Sequence, residues 1–586
     1  MFGVAILFVI VNVTFFPFIW GGRSLQESVN IPSLYGAGSR PAATNRYVEI
    51  PVLDPGTAAW YLEPMFAVEH HIIVGQKEPP LWNPYASFGA PLAADAESQP
   101  YSPFAWIPIF WSSAEGYDIF IALRIFVGGL FAFLFLRLFL QFIPALVGAT
   151  AFMFSGYFWL YLTMPHLSVE VLLPAMLYSL ERVMRRPGFL RSAIVALVAA
   201  GMILGGMPES TILAFMFGAV YFVARSFFTP SLRSQWRAFL PYVLLGTLVG
   251  VGISAVMIVP LLEYVPISSN SHSASNFGLI SEPLSWSGLV EYLAPLYMRS
   301  LGFDLPSHYL QVAKGFFACS ALFFALIGFF SSVHDVIKRR GEDSTPVILI
   351  LGITAIALLA KRFGAGVINW LGALPILRQV IFDKYEEAII GCCVALLAGF
   401  GLSRLGEKRA TPGSLWLAAL IPLFILTGAA TESRQASTPQ AINYYIFSVS
   451  MALLFLGLAV GAAVAFYAGR LRYALLAVTA LALVLLEPMV AYIVPVYYVV
   501  NEAPPQSASP LLGAPYVDYL KSHLADNDRL YGEQNFLFPQ WSEAFELEDV
   551  RGKNGFYPDR YLPFVHSLMS NRDSGDQFTG IGDDLT

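Results

Sequence analysis

The sequence predicts an all-α membrane protein with many spanning helices, and three observations point to this class. Apolar residues make up 56% of the 586-residue chain and charged residues only 13%, whereas soluble domains carry about 25% charged residues. Apolar runs of about 17–25 residues, long enough to cross a bilayer, recur along the chain. Basic residues concentrate in every second connection between these runs. A soluble fold has too little interior for this much apolar sequence, so the predicted class is a polytopic membrane protein.

The hydropathy pattern predicts thirteen spanning helices. The first run lacks a basic start and a small-residue cleavage site, so it predicts an uncleaved helix rather than a signal peptide. A further run, 363–377, is short and broken by glycine, and it predicts a re-entrant or surface helix. The predicted spans are 1–20, 118–140, 145–163, 167–181, 191–207, 210–226, 240–262, 311–332, 346–361, 386–404, 414–430, 443–468 and 473–498.

Loop charge predicts the orientation, because cytoplasmic loops carry an excess of Lys and Arg. Six alternate connections together hold 16 basic residues. By contrast, 21–117 holds 4 basic and 9 acidic residues, and the segment after Val499 holds 6 and 14. Arg23, just beyond the first helix, favours the opposite orientation, but the larger number of basic residues in the later loops is given more weight. The pattern predicts a cytoplasmic N-terminus and a C-terminal segment on the outer side. The six connections are Arg137–Pro144, Arg182–Arg191, Arg225–Arg237, His334–Asp343, Arg404–Arg409 and Arg470–Arg472.

Two units are predicted from this arrangement. Residues 1–498 form a transmembrane module with two large outer loops, 21–117 and 263–310. Residues 499–586 form an extracytoplasmic segment that opens with the linker-like sequence "NEAPPQSASP". The chain has no Walker A, GxGxxG or HExxH motif, which excludes ATP-driven transport by this chain alone.

Cysteine and histidine patterns predict no metal centre. Cys319, Cys392 and Cys393 lie in apolar runs and predict small core residues rather than disulfides or ligands. His70 and His71 are adjacent, and neighbouring helical residues point about 100° apart, which makes them poor co-ligands.

The first outer loop is predicted to be ordered and partly helical. Trp60, Leu62, Phe66 and Ile73 show helical apolar spacing. Asp54 directly precedes a proline, which is the signature of a helix cap.

Titratable groups converge at the predicted outer ends of the helices. An ionisable group in a membrane helix is costly and usually faces a cavity or a partner. His166 in "MPHLSVE", Glu209 in "GGMPES" and Glu263 in "PLLEY" all fall at this level, as does Asp54. Glu170 follows His166 by about one helical turn and can point the same way. Each residue alone is more often an interfacial group, and it is their convergence that indicates a functional site.

Outer basic residues are scarce, which makes each a candidate partner for a lipid phosphate. The alternative for each is a solvated or headgroup-facing charge. The candidates are Arg299, Lys314, Lys361, Arg362, Arg378 and Lys384.

Several stretches of the chain resemble the YfhO family of bacterial membrane proteins. "LWNPYASFGAPLAADAESQPYSP", with Asp54 some thirty residues upstream, resembles the outer-loop signature of the family. "MPHLSVEVLLPAMLYSLERVMRR", "GGMPESTILAFMFGAVYF" and "LFPQWSEAFELEDVRGKNGFYPDRY" follow in the expected order, so the resemblance covers most of the chain. Two departures stand out. Residues 382–385 read "FDKY" where an Arg-rich stretch is expected, and the longer outer domain of many members is missing, as in a short branch or a partial chain.

The resemblance implies a GT-C-like glycosyltransferase with an outer active site. It implies inverting transfer of a sugar from a polyprenyl-phosphate donor to an envelope glycan, lipid or protein. Asp54 is the implied general base, with Glu209 and His166 beside it in the catalytic site. The implied phosphate ligands are Arg378, Lys384 and Arg299, and the implied substrate contacts are Trp82, Tyr85, Glu97 and Glu263.

The implied partners are the lipid-linked sugar, membrane lipids and an envelope acceptor, without nucleic acid, at a bacterial plasma membrane. No cofactor is required, although a divalent metal remains compatible with the resemblance. Two other classes stay open: a non-enzymatic polyprenyl-lipid carrier or flippase, and an envelope assembly protein. A carrier would use the same amphipathic cavity without a base, so a substitution at Asp54 separates it from an enzyme.

Overall fold

The computed structural model describes most of the chain. Within the described part the fold is helical, with one two-stranded ribbon, and the predicted all-α class is confirmed. The described residues are 2–28, 57–269, 277–281, 283–284, 287–295, 314–428, 439–500, 503–507, 515–525, 528–532, 537, 539–552, 556–561, 563–564 and 567.

Seventeen helices carry labels here. They are α1 (Phe2–Thr14), α2 (Glu63–His70), α3 (Ala114–Leu136), α4 (Phe142–Met153), α5 (Leu173–Arg185), α6 (Phe189–Ile203), α7 (Pro208–Phe228), α8 (Trp236–Ile253), α9 (Ala255–Tyr264), α10 (Cys319–Ile337), α11 (Ser344–Arg362), α12 (Phe382–Gly406), α13 (Pro412–Thr427), α14 (Pro439–Tyr467), α15 (Tyr473–Pro488), α16 (Pro515–His523) and α17 (Pro539–Ala544). The ribbon pairs β1 (Ser268–Ser269) with β2 (Tyr557–Pro558) in antiparallel register.

Among the described residues, nine helices are long and apolar enough to cross a membrane, and four more apolar helices are shorter. The predicted count of thirteen spans stays a prediction. The predicted span 167–181 forms Leu167–Glu170 and α5 instead, where Pro174, which lacks an N–H, lies in the first turn of α5 and needs no intrahelical partner there. The span 240–262 divides into α8 and α9 at Ser254, whose hydroxyl donates to the Gly250 carbonyl (3.0 Å).

Helix α12 forms the centre of the bundle. All of its apolar window is buried, and it packs on α4, α10 and α11. Gly401 permits the close approach to α10, since a Cβ there would lie 1.7 Å from the Phe324 carbonyl oxygen. Cys392 and Cys393 of α12 and Cys319 of α10 are free and buried, which confirms their prediction as core residues.

Four of the predicted cytoplasmic connections meet at one end of the bundle, which we call the basic end. Arg225 pairs with Glu181 (2.8 Å) and with Asp343 (2.8 Å), and Arg185 reaches the same Asp343 (3.3 Å). Arg404 pairs with Asp335 beside them. The charge pattern therefore correctly grouped these connections, while the side of the membrane that they face stays a prediction.

The other end, which we call the loop face, carries residues 57–113, the first loop. Residues 58–75 form one helical segment with α2 at its centre, as the apolar spacing predicted. Leu62 and Phe66 are buried in the main core. The predicted cap at Asp54 lies outside the described residues. The C-terminal segment packs on this loop, where the Trp541 indole N–H donates to the Ala59 carbonyl (2.9 Å).

Candidate functional site

A buried arginine fixes the chain segment that leads to His166. Arg124 of α3 is fully buried and donates to the carbonyls of Met164 (2.7 Å) and Leu162 (2.8 Å). Its guanidinium also lies 4.1 Å from the centre of the Phe120 ring. This charge within a membrane helix is therefore used to hold an irregular segment in place at the loop face.

His166 lies at the centre of a buried polar cluster. Its Nδ1 is 3.0 Å from the Glu170 carboxylate, which also accepts hydrogen bonds from Tyr157 and Ser210 (2.9 Å each). The Nε2 of His166 is buried, with no hydrogen-bond partner among the described residues. Burial lowers the pKa of His166 below its usual range, although the neighbouring Glu170 opposes the shift. A neutral imidazole with one unsatisfied ring nitrogen suits proton transfer or hydrogen bonding to a ligand.

The start of α12 brings the predicted acid–base and phosphate-binding residues together. The Ile381 N–H donates to the Glu209 carboxylate (2.7 Å). Ile381 lies between Arg378 and Lys384 in the sequence, so Glu209 contacts the segment that carries both predicted phosphate ligands. The Lys384 ammonium lies 5.7 Å from the centre of the Tyr161 ring. Tyr161 and Tyr385 both contact His166, with ring centres 4.9 and 5.4 Å away. We call this group the His166 cluster; it comprises Tyr157, Tyr161, His166, Glu170, Glu209, Ser210, Lys384 and Tyr385.

Three of the other predicted phosphate ligands are occupied by protein partners. Lys314 is buried and pairs with Asp383. Lys361 donates to the Gly278 carbonyl (2.7 Å) and the Asn369 side chain (3.0 Å). Both ammonium groups therefore stabilise the loop face through these protein partners, which occupy them in place of a lipid phosphate. Arg362 likewise lies 3.6 Å from Glu387, whereas Arg378 is exposed and Lys384 is half-buried.

Three buried carboxylates near the cluster were not predicted from the sequence. Glu27 accepts a hydrogen bond from Thr163 (2.6 Å), and its N–H donates to Glu63 (2.7 Å). Burial raises the pKa of Glu63 to about 7, partly offset by hydrogen bonds from Ser28. Burial also raises the pKa of Asp95 to about 6. The predicted outer loop contains nine acidic residues, and nothing in the sequence was a reason to select these three from among them. The only sequence feature that could have identified one of them is the position of Glu63 within residues 58–75, a segment with helical apolar spacing.

The predicted substrate-binding residues are dispersed. Tyr85 is buried between the first loop and the C-terminal segment, where its carbonyl accepts the Asp549 N–H (2.9 Å). Trp82 is 53% exposed and lies against Gly89. Glu97 is partly buried and Glu263 is exposed. The substrate roles of these four residues stay predictions, and Asp54 and Arg299 lie outside the described residues.

The two adjacent histidines face different partners, as their spacing predicted. The Nδ1 of His70 is 2.7 Å from the Ile109 carbonyl oxygen, while His71 lies 3.3 Å from Glu546. In the part of the chain that the structure describes, no group of three or more His, Cys, Asp or Glu residues is arranged to hold a metal ion.

The chain resembles solved membrane proteins over most of its length. ArnT from Cupriavidus metallidurans, solved bound to undecaprenyl phosphate, is 14% identical, with a TM-score of 0.46 over 97% of this chain and 87% of that one. The oligosaccharyltransferase of Archaeoglobus fulgidus is also 14% identical, with a TM-score of 0.37 over 94% of this chain and 64% of that one. At this distance the likenesses assign no activity to this chain. No family model matches the sequence and no curated protein matches it, so the resemblance to the YfhO family stays a prediction.

Proposed function

We propose that this chain is a membrane glycosyltransferase that moves a sugar, with inversion, from a polyprenyl-phosphate donor to an extracytoplasmic acceptor. One observation carries the proposal. Glu209 and His166, predicted for acid–base chemistry, meet the predicted phosphate ligand Lys384 at the start of α12. Lys384 lies more than 170 residues from both Glu209 and His166 in the sequence, and hydropathy alone would not have joined them.

The chemistry of transfer matches this set of groups. The acceptor oxygen attacks the anomeric carbon while the bond between that carbon and the phosphate oxygen breaks. A carboxylate takes the acceptor proton, and positive charges stabilise the leaving polyprenyl phosphate. We assign the base to Asp54, with Glu209 as the alternative, and the phosphate contacts to Lys384 and Arg378. A monophosphate leaving group can be stabilised by Lys and Arg alone, so no step requires a cofactor.

The position of the cluster suits a lipid-linked donor. Helices α7 and α12 begin at the cluster and are both long and apolar enough to cross a membrane. A polyprenyl chain lying among such helices would hold its phosphate at their ends, where Lys384 lies. The loop charges predict that this end faces the extracytoplasmic side, where a flipped polyprenyl-phosphate sugar would be presented.

The phosphate assignment is tested by lipid binding. The full chain in nanodiscs is mixed with undecaprenyl phosphate, and bound lipid is counted by native mass spectrometry. Lys384→Gln combined with Arg378→Gln should weaken binding at least tenfold. Lys338→Gln combined with Lys408→Gln removes the same charge from exposed positions at the basic end and should leave binding unchanged. Equal binding by both double variants would refute the phosphate site.

The base is tested by Asp54→Asn, which preserves capping but cannot take a proton. Membranes containing each variant receive undecaprenyl-phosphate hexoses with a radiolabelled sugar, and transfer into membrane or envelope material is counted. If the chain is an enzyme, Asp54→Asn should lose sugar transfer and retain lipid binding. If the chain is a lipid carrier, the same substitution should barely affect its function. Retained transfer in Asp54→Asn that is lost in Glu209→Gln would move the base to Glu209.

A further inference from the structure

The carboxylate of Glu170 is held in one orientation by its neighbours. Its Oε1 accepts hydrogen bonds from the hydroxyls of Tyr157 and Ser210 (2.9 Å each), and its Oε2 lies 3.0 Å from His166 Nδ1. Glu170 is only 2% exposed, so water does not compete for these contacts. The side chain has no acid–base or phosphate role in the proposed transfer, which leaves its purpose to be explained.

Tyr157 shows in which direction the hydrogen bond at His166 Nδ1 runs. The Tyr157 oxygen lies 3.3 Å from Nδ1, but its single hydrogen is donated to Glu170. The Glu170 carboxylate offers only acceptor oxygens. Both polar neighbours of Nδ1 are therefore acceptors, so Nδ1 carries the hydrogen and donates it.

The same arrangement leaves the lone pair of the imidazole on Nε2. A neutral imidazole has one N–H, so its other nitrogen is an acceptor, and burial lowers the pKa of His166, which favours the neutral ring. Nε2 is buried, with no hydrogen-bond partner among the described residues. An unpaired buried acceptor costs free energy. The fold thus maintains an accepting nitrogen that is shielded from bulk water and that no described side chain uses.

The turn that carries His166 is fixed by the first loop. The Gln99 side chain donates to the Pro165 carbonyl (2.7 Å) and accepts from the Ser168 hydroxyl (2.9 Å), so it contacts residues before and after His166. Gln99 is fully buried and has a φ of 64°, a left-handed conformation that is uncommon for residues other than glycine. Such a conformation persists only where the surroundings enforce it. With the backbone held in this way, the contact with Glu170 decides which nitrogen of the ring is the acceptor.

The aromatic rings beside His166 also contact the proposed phosphate ligand. The ring centres of Tyr161 and Tyr385 lie 4.9 and 5.4 Å from the centre of the imidazole. The Lys384 ammonium lies 5.7 and 5.6 Å from the same two ring centres. The imidazole and the ammonium therefore share one pair of rings, which puts the accepting nitrogen in the site to which sugar transfer is assigned.

We propose that Glu170 is a positioning residue: it holds His166 in the tautomer with hydrogen on Nδ1, and it thereby keeps Nε2 as an acceptor for the transfer reaction. The first clause stands on the contacts alone, whereas the second rests on the proposed glycosyl transfer. The partner of one ring nitrogen determines the state of the other in this way wherever a histidine acts in catalysis.

The tautomer is measured directly by NMR on the full chain in nanodiscs, with nitrogen-15-labelled histidine. At about pH 8 unperturbed histidines are neutral, and the signals of His166 are those missing from His166→Gln. Wild type should show hydrogen on Nδ1 and a non-protonated Nε2. Hydrogen on Nε2, or a doubly protonated ring, would overturn the inference without the need for a variant at position 170.

Glu170→Gln keeps the shape of the side chain and reverses the hydrogen bond. The amide oxygen can still accept from Tyr157, while the amide NH2 donates to Nδ1, so the hydrogen of His166 should move to Nε2. His70 is the internal control, because its Nδ1 lies 2.7 Å from the Ile109 carbonyl oxygen and should keep its hydrogen in every variant. Tyr157→Phe leaves the acceptor at Nδ1 in place and should retain the wild-type tautomer. A tautomer unchanged by Glu170→Gln would overturn the assignment to Glu170.

Radiolabelled transfer connects the tautomer to the reaction. Glu170→Gln should lower kcat at least tenfold and leave the KM for the polyprenyl-phosphate sugar within about twofold, since Lys384 is untouched. Glu543→Gln is the matched control: it makes the same change at a buried carboxylate of the loop face that contacts Asn83 rather than a histidine, and it should keep both constants.

The outcomes separate this inference from the proposed function. An inverted tautomer with normal kcat in Glu170→Gln would overturn the second clause and leave the glycosyltransferase intact. Hydrogen on Nδ1 in a chain that transfers no sugar would support the first clause and reject both the second clause and the enzyme.

Discussion

The two ends of the helix bundle differ in how they bury carboxylates. At the basic end, the buried charges are paired: Arg225 contacts Glu181 and Asp343, and Arg404 contacts Asp335. At the loop face Lys314 likewise pairs with Asp383, but Glu63 and Asp95 are buried with no paired cation among the described residues, and burial raises their pKa values to about 7 and about 6. Paired charges that cross between helices hold a fold together, whereas buried groups with shifted pKa values and unsatisfied atoms are typical of functional sites. The comparison is the basis for expecting the proposed chemistry at the loop face and structural support at the basic end.

The largest expected effect is on transfer, at the loop face. Glutamine at position 166 can still donate to Glu170 but cannot exchange a proton, so His166→Gln should lower the transfer rate by about 10²–10⁴-fold. The unfolding temperature should change little by comparison. Radiolabelled transfer and thermal unfolding are measured on the same preparation. A loss of stability as large as the loss of rate would make His166 a structural residue and remove the contrast between the two ends.

The next effect is on stability, at the basic end. Arg225→Met removes the buried one of the two arginines that contact Glu181, the other being the half-exposed Arg185 (2.9 Å), and removing one member of a buried pair costs about 3–5 kcal/mol. Denaturant unfolding of the full chain measures this loss. Transfer per folded molecule should stay normal. Adding Glu181→Gln should recover part of the stability, since the buried carboxylate that lost Arg225 is then neutral and Arg185 keeps its contact with Asp343; a double variant as unstable as the single one would contradict this explanation.

A smaller effect follows from the pKa of Glu543. Burial raises it from 4.5 to about 8, so between these values the folded state holds a proton that the unfolded state has lost. Stability from this group is therefore present at low pH and is lost as the pH rises towards 8. Between pH 7 and 8 the loss should be about 1 kcal/mol. Unfolding of Glu543→Gln should lack this component, whereas Glu546→Gln should retain it. Parallel pH profiles for wild type and Glu543→Gln would show that Glu543 is ionised in the folded chain.

The smallest effect concerns an exposed charge at the basic end. Arg409 contacts Glu342 with both side chains partly exposed, at 33% and 46%. Exposed ion pairs are screened by water and contribute about 0–1 kcal/mol. Arg409→Met should therefore lower stability far less than Arg225→Met in the same denaturant assay. Similar losses would mean that burial is not what distinguishes the basic-end pairs.

The sequence predicted the class of the molecule and much of its plan. The excess of apolar residues and the spacing of the runs predicted the helices, because hydropathy reports directly on which segments leave water. The charge pattern grouped the connections that meet at the basic end. Apolar periodicity predicted the helical segment 58–75, and His166 and Glu209 were recognised because ionisable groups are costly near a bilayer. These predictions depend on local composition, which can be read from the sequence without knowing which segments contact each other.

The tertiary structure decided which polar groups meet. Glu487 lies in the apolar predicted span 473–498, yet it accepts the N–H groups of Cys319 and Ser320 at the start of α10 and so caps that helix. Lys361 was a candidate phosphate ligand and instead holds the Gly278 carbonyl. Nothing in the sequence indicated that Glu543 has a buried partner; only the structure brings it into contact with Asn83, 460 residues away in the chain. Partner choice depends on distances between segments remote in sequence, and burial sets whether a charge is paired, neutralised or left for a ligand. Composition determined the membrane class of this protein, because apolar runs leave water wherever they occur; packing alone decided which of its charged groups pair with one another and which are buried without an opposite charge among the described residues.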